Sequence, residues 1–169
     1  MKGWRKQMAR PEESSTPPMM VPYFALTSTR GKEVTLWDFK QRKNLLLYFF
    51  NGADCRDCRH TLMRLRDDHS RFEQLSTEVI AIGVDEPAPL SALVDALHIP
   101  FPVLSDASGA VASKYGLLEK PSAKPMPSVF IADRYGALEA SWVVERESEL
   151  PDQDELLANL QLLELRCPE

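Results

Sequence analysis

The chain carries few of the residues from which metal sites and disulfide frameworks are built: three cysteines and three histidines in 169 residues. A closed zinc site needs four ligands, and His60, His69, His98 and Cys167 are scattered, with no second cysteine pair to join them. No metal and no organic cofactor are therefore expected. The sequence also lacks a basic surplus. A net charge of -5 leaves nothing from which to build a phosphate-tracking face, which argues against nucleic acid as a partner. Long apolar runs are missing too: Leu45 to Phe50 and Val79 to Val84 are strand-sized, far below the ~20 residues of a spanning helix, so no membrane partner is expected. Met1 to Arg10 lacks the apolar centre of a secretory signal and runs into Pro11, Glu12, Glu13, Ser14 and Ser15. Residues 1–19 read as a mobile leader, 20–166 as a single domain and 167–169 as a tail, with the cytoplasm as the expected address.

What is present suffices for one core, at 44% hydrophobic and 27% charged residues. Short apolar runs alternate with amphipathic segments, the pattern of an α/β domain. Phe24 to Leu26 and Val34 to Leu36, around Arg30-Gly31-Lys32, predict an N-terminal hairpin, with a short helical turn at Trp37 to Phe39. Leu45 to Phe50 is unbroken apolar sequence, as a strand covered on both faces requires. Leu62, Leu65 and Phe72 then follow at helical spacing. Val79 to Val84 predicts a second buried strand, Leu90 to His98 a helix, Val103 to Leu104 a short strand, and Ala110 to Tyr115 a helical turn ending at Gly116. Ser128 to Ala132 and Leu138 to Val144 read as a hairpin around Asp133-Arg134-Tyr135-Gly136. Asp152, with Glu155 three residues on, opens a last helix whose apolar face is Leu156, Leu157, Leu160 and Leu163.

The chemistry concentrates in Asn51-Gly52-Ala53-Asp54-Cys55-Arg56-Asp57-Cys58-Arg59, between the first buried strand and the helix after it. Two cysteines with two residues between them, at a helix start, can close a small disulfide while the helix dipole favours the thiolate. Arg56 and Arg59 add positive charge near the sulfurs, and Asp54 and Asp57 oppose it. In this reading Cys55 attacks and Cys58, one turn further in, resolves the mixed disulfide. Apolar filling is the plain alternative for the pair, but it fits poorly with four charged flanking residues. Haem attachment would need a histidine where Arg59 stands. Because cellular reductants keep cytoplasmic thiols open, these cysteines are expected to cycle rather than staple.

Pro127, in Lys124-Pro125-Met126-Pro127-Ser128, enters a strand, either as a cis bond that turns the loop sharply or as an ordinary proline-rich approach. Asp57 is read as favouring the helix dipole, His60 as solvated and His69 as partly buried. Trp37 and Trp142 are read as packing residues. Cys167 is either an incidental terminal thiol or an external resolving group.

Cys-x-x-Cys after a core strand, with x-Pro before a later strand, resembles the thioredoxin superfamily. More closely, the chain resembles its redoxin branch, the alkyl hydroperoxide reductase/thiol-specific antioxidant (peroxiredoxin-like) family. Pro22-Tyr23-Phe24-Ala25-Leu26, Gly31 through Phe39, Tyr48-Phe49-Phe50, the cysteine pair, Tyr115-Gly116 and Pro127 through Gly136 carry the resemblance. It implies a thioredoxin-like fold, a central mixed sheet flanked by helices with an N-terminal hairpin extension. It further implies that Pro127 is a cis-proline beside the cysteines, presenting an extended partner segment together with Met126. Cys55 would be the nucleophile and Cys58 its resolving partner. The peroxidase branch has its attacking cysteine at the position of Cys58, usually a threonine or serine at that of Cys55, and a proline where Asn51 stands.

The leading expectation is a thiol-disulfide oxidoreductase acting on protein or low-molecular-weight disulfides and thiols, recycled by a dithiol reductant. The alternatives are a thiol peroxidase, with Cys58 peroxidatic and Cys55 resolving, and a non-enzymatic redox sensor.

Overall fold

The computed structural model describes residues 19–120 and 124–166; Cys167 and nearly all of the expected leader lie outside them. The strands are β1 (Ala25–Ser28), β2 (Glu33–Thr35), β3 (Asn44–Phe50), β4 (Thr77–Gly83), β5 (Val103–Ser105), β6 (Ser128–Ala132) and β7 (Leu138–Val143). The helices are α1 (Arg56–Asp67), α2 (His69–Gln74), α3 (Pro87–Leu97), α4 (Ala110–Lys114) and α5 (Gln153–Arg166), with short 3-10 turns at Leu36–Phe39 and Glu147–Glu149. One mixed sheet runs in the order β2-β1-β5-β4-β3-β6-β7.

The continuous apolar run predicts a central strand for physical reasons that the packing bears out. Every residue of β3 is buried. Its even-numbered side chains Leu46, Tyr48 and Phe50 join the cluster of Leu62, Leu65, Leu90, Leu93, Leu157 and Leu160, while Leu45, Leu47 and Phe49 join Phe24, Leu36, Tyr115 and Phe130 on the other face. β3, β4 and β5 are mutually parallel. Two right-handed crossovers stepping in the same direction put their helices on the same face, which is why α1, α2 and α3 share one cluster with α5. α4 and the N-terminal segment cover the opposite face.

Antiparallel pairing of β6 with β3 and of β7 with β6 sets Phe49 beside Ser128 and Ser128 beside Val143. The chain leaving β7 therefore arrives at the same sheet end as the chain leaving β3, a position that pairing alone dictates. The expected hairpin is β1 and β2. The chain is docked from Met19, whose carbonyl accepts the Leu138 N–H at 2.7 Å.

Two expectations are corrected. No cis peptide bond occurs among the described residues, so Pro127 follows an ordinary trans bond. The Met126 N–H donates to the Leu117 carbonyl and the Pro127 carbonyl accepts from Val144 N–H, each at 3.0 Å. These anchors lead the chain directly into β6 with the isomer that X-Pro bonds favour by about 0.5–1 kcal/mol. Trp37 is not a core residue but 44% exposed, because Leu36 is the residue of its short turn that faces inward. Its ring instead carries the Lys40 ammonium, 5.0 Å from the centroid. Trp142 is fully buried as expected.

Candidate active site

Cys55 is the N-cap of α1 and Cys58 lies in its first turn, and the two sulfurs form a disulfide across a Cα–Cα distance of 5.2 Å. Of the two cysteines expected on the first turn, Cys58 lies in it and Cys55 caps it, the helix beginning at Arg56. The Cys55 sulfur accepts the Cys58 backbone N–H at 3.1 Å, one of the donors that a helix N-terminus leaves unpaired. The two cysteines differ in access: Cys58 is fully buried, whereas Cys55 is half-buried and lines a cleft of about 420 Å³ with Asn51, Met126, Pro127, Arg146 and Glu147. The sheet pairing thus brings Met126 and Pro127 to the cleft that Cys55 lines.

The loop ahead of Cys55 is held from three sides. The Asp85 carboxylate, just past the end of β4, accepts the Ala53 N–H at 2.7 Å, and Arg59 Nε donates to the Ala53 carbonyl at 3.1 Å. The Cys55 N–H donates to the Gly52 carbonyl at 3.2 Å. Gly52 has φ of +153°, and a Cβ there would sit 2.8 Å from Asp85 Oδ2, so backbone conformation and close approach both require glycine. Arg59 is thereby tied to the loop backbone, while Arg56 is exposed on the first turn. His60 is exposed, and His69 packs against the Phe101 ring at 5.8 Å.

Sequence reasoning missed Glu147. Its Oε1 lies 3.7 Å from Cys58 Sγ, and its Oε2 accepts hydrogen bonds from Thr61 Oγ1 at 2.7 Å and from the Tyr48 hydroxyl. Burial pushes its carboxyl pKa up, the two hydroxyl hydrogen bonds pull it back, Asp57 raises it and Arg64 lowers it. The Tyr48 phenol is also raised, first by burial and then by the Glu147 charge. In the sequence Glu147 sits in the run Glu145-Arg146-Glu147-Ser148-Glu149, which reads as a solvated loop. The available signal is the hairpin pairing, which fixes where the residues after Val144 must lie.

The arrangement is a partly accessible sulfur bonded to a buried one, with a carboxylate against the buried sulfur. Among the described residues no group of three or more potential ligands could hold a metal ion, and no helix is long and apolar enough to cross a membrane.

Residues 19–141 match the model of the AhpC/TSA family. Alkyl hydroperoxide reductase E of Mycobacterium tuberculosis is 32% identical over 119 residues, 69% of this chain and 78% of that protein. The thiol-disulfide oxidoreductase ResA of Bacillus cereus is 28% identical over 116 residues, 68% of this chain and 62% of that protein. The chloroplastic peroxiredoxin Q of Gentiana triflora is 29% identical over 96 residues, covering 57% of this chain and 44% of that protein. The chain thus spans less than two thirds of the length of the latter two relatives. Among solved structures, the peroxidoxin BcpB of M. tuberculosis superposes with a TM-score of 0.77 at 20% identity, covering 93% of this chain and 99% of that one. The AhpC of Enterococcus faecalis superposes at 0.79 with 19% identity, covering 88% and 92%. The fold is the thioredoxin-like fold of these peroxiredoxins.

Proposed function

This chain belongs to the AhpC/TSA family, and from that membership together with the unequal access of its two bonded sulfurs we propose that it is a thiol-disulfide oxidoreductase working through a Cys55/Cys58 dithiol-disulfide couple. Reduced Cys55 attacks a substrate disulfide as the thiolate, the mixed disulfide forms on Cys55 and one substrate thiolate leaves. Cys58 then attacks Cys55 Sγ, closing the protein disulfide and releasing the second substrate thiolate. A dithiol reductant reverses these steps to reset the enzyme. The observation that carries the reading is the N–H of Cys58 donated to Cys55 Sγ at the start of α1, an interaction that favours an anionic sulfur.

The substrates are protein or low-molecular-weight disulfides, entering the cleft against Met126 and Pro127. The cytoplasm suits a pair that must be reopened after every turnover. The peroxidase alternative needs peroxide at Cys58, and the burial of that sulfur behind Cys55 and the Glu147 carboxylate argues for disulfide exchange instead.

The test is steady-state reduction of a low-molecular-weight disulfide and, separately, consumption of hydrogen peroxide, both with a recycling dithiol. Cys55→Ser is expected to abolish disulfide turnover, and Cys58→Ser to stop at a mixed disulfide on Cys55. Normal turnover by Cys55→Ser overturns the assignment. Peroxide consumption far above that of a free thiol, lost only in Cys58→Ser, would establish the peroxidase.

A further inference from the structure

We propose that Glu147 is the acid–base residue of the second half-reaction, taking the proton from the Cys58 thiol when that sulfur attacks and returning it when the disulfide is reopened. The inference rests on the thiol-disulfide exchange reading and adds to it a residue from outside the cysteine segment. A buried thiol cannot be deprotonated by bulk water. Cys58 has no exposed surface, so its proton needs an acceptor within the protein, and Glu147 Oε1 is 3.7 Å from its sulfur.

The rest of the site suits that task. Thr61 and Tyr48 both donate to Oε2, which fixes the carboxylate and leaves Oε1 turned to the sulfur. Glu147 also lines the cleft with Asn51 and Cys55, so a proton it takes can pass on to solvent. The charged and titratable groups around it are Tyr48 from β3, Cys58, Asp57 and Arg64 from α1, Lys124 and Glu145 on the cleft lining, and its neighbours Arg146 and Glu149, which pair with each other. Burial lifts the carboxyl toward the range of a thiol, and closer matching of donor and acceptor makes proton transfer more efficient.

The electrons and protons balance. In the mixed disulfide, the Cys58 S–H bond breaks and its proton goes to Oε1. The freed electron pair forms the Cys58–Cys55 S–S bond, the Cys55–substrate S–S bond breaks, and the substrate leaves as thiolate. The protein pair is oxidised by two electrons and the substrate disulfide is reduced by the same two. In the reverse direction, a reductant thiolate attacks Cys55 Sγ, Cys58 leaves, and the protonated Glu147 carboxyl donates to it.

The experiment uses the reduced full-length chain carrying Cys167→Ser, so that two thiols remain. It is mixed in a stopped-flow instrument with bis(3-carboxy-4-nitrophenyl) disulfide, whose coloured thiolate is released once on attack by Cys55 and again on resolution by Cys58. In Glu147→Gln the first release is expected to stay within about twofold, while the second slows by about a hundredfold at neutral pH and recovers as the solution becomes basic enough to ionise the thiol unaided. Glu147→Asp is expected to restore part of the rate together with the original pH profile. Tyr48→Phe, which keeps the acid but removes a hydrogen bond that lowers its pKa, moves the acid limb of the second phase to higher pH and serves if Glu147→Gln does not fold. A second phase with unchanged rate and pH profile in Glu147→Gln, or with an unmoved limb in a folded Tyr48→Phe, overturns the proposal. Equal slowing of both phases in Glu147→Gln and Glu147→Asp assigns Glu147 a merely structural role and overturns it as well. Failure of the parent protein to release even the first thiolate would instead overturn the exchange reading itself.

Discussion

Tyr48 and Tyr115 lie on opposite faces of one sheet, and neither has any exposed surface. Burial raises both phenol pKa values, yet their hydroxyls meet different partners. Tyr115 donates to the backbone carbonyl of Pro22 at 2.6 Å and packs against Phe49 and Phe130, with ring centroids at 4.9 and 5.1 Å. Tyr48 donates to the Glu147 carboxylate, which touches Cys58. A buried tyrosine on a fixed carbonyl anchors a segment. One on a carboxylate beside sulfur belongs to a site whose protonation can change. The two faces thus divide the work: one holds the N-terminal segment to the sheet, and the other embeds the redox pair in a small polar network.

The division can be broken most forcefully on the aromatic side. Phe130→Ala removes a fully buried ring that packs edge-on against both Phe49 and Tyr115 and is expected to cost about 3–5 kcal/mol in denaturant unfolding, with disulfide turnover per folded molecule unchanged. Loss of turnover in the folded fraction would show that the faces are not separable. Tyr115→Phe is milder: loss of one hydrogen bond should cost about 1 kcal/mol and leave the pH profile of both thiolate-release phases where it was, in contrast to Tyr48→Phe.

The smallest effect is the pH dependence of stability in the disulfide form. Glu147 has a folded pKa above its ordinary 4.5, so between those two values the folded state binds more protons than the unfolded chain. Stability therefore falls as pH rises through that window. Asp106, buried at the start of α4 and raised above its ordinary 3.8 mainly by burial, contributes a slope of the same sign. Glu147→Gln should flatten the first contribution and leave the second, as unfolding free energies measured across the window would reveal.

Much of this was legible in the sequence, and the reason differs by element. The run Leu45 to Phe50 could only be a strand covered on both faces, and a cysteine pair directly after it had to lie at the end of the sheet. Asp152 as a helix start follows from local chemistry, its carboxylate accepting the Glu155 N–H at 2.9 Å. Glu147 was not legible, because its role depends on β7 ending at the same end of the sheet as β3, with β6 between them, a long-range arrangement that leaves no mark on the charged run around it. Tyr48 was legible as core but not as a hydrogen-bond donor to the site. Asp85 was hidden similarly, as a residue just after β4 that secures the Gly52-Ala53 turn from the end of the neighbouring strand. The geometry before Pro127 was misjudged because resemblance supplied an isomer that the local anchors at Leu117 and Val144 do not call for.

The central claim is that Cys55 attacks and Cys58 resolves, and the most direct measurement is the pH-dependent alkylation rate of each cysteine in the reduced protein, resolved by peptide mass spectrometry. Faster modification of Cys55 than Cys58 across the neutral range, with Cys55 reacting as a thiolate below the pH at which a free thiol does, is the predicted result. Faster modification of Cys58, with Cys55 reacting like an ordinary thiol, would contradict the account.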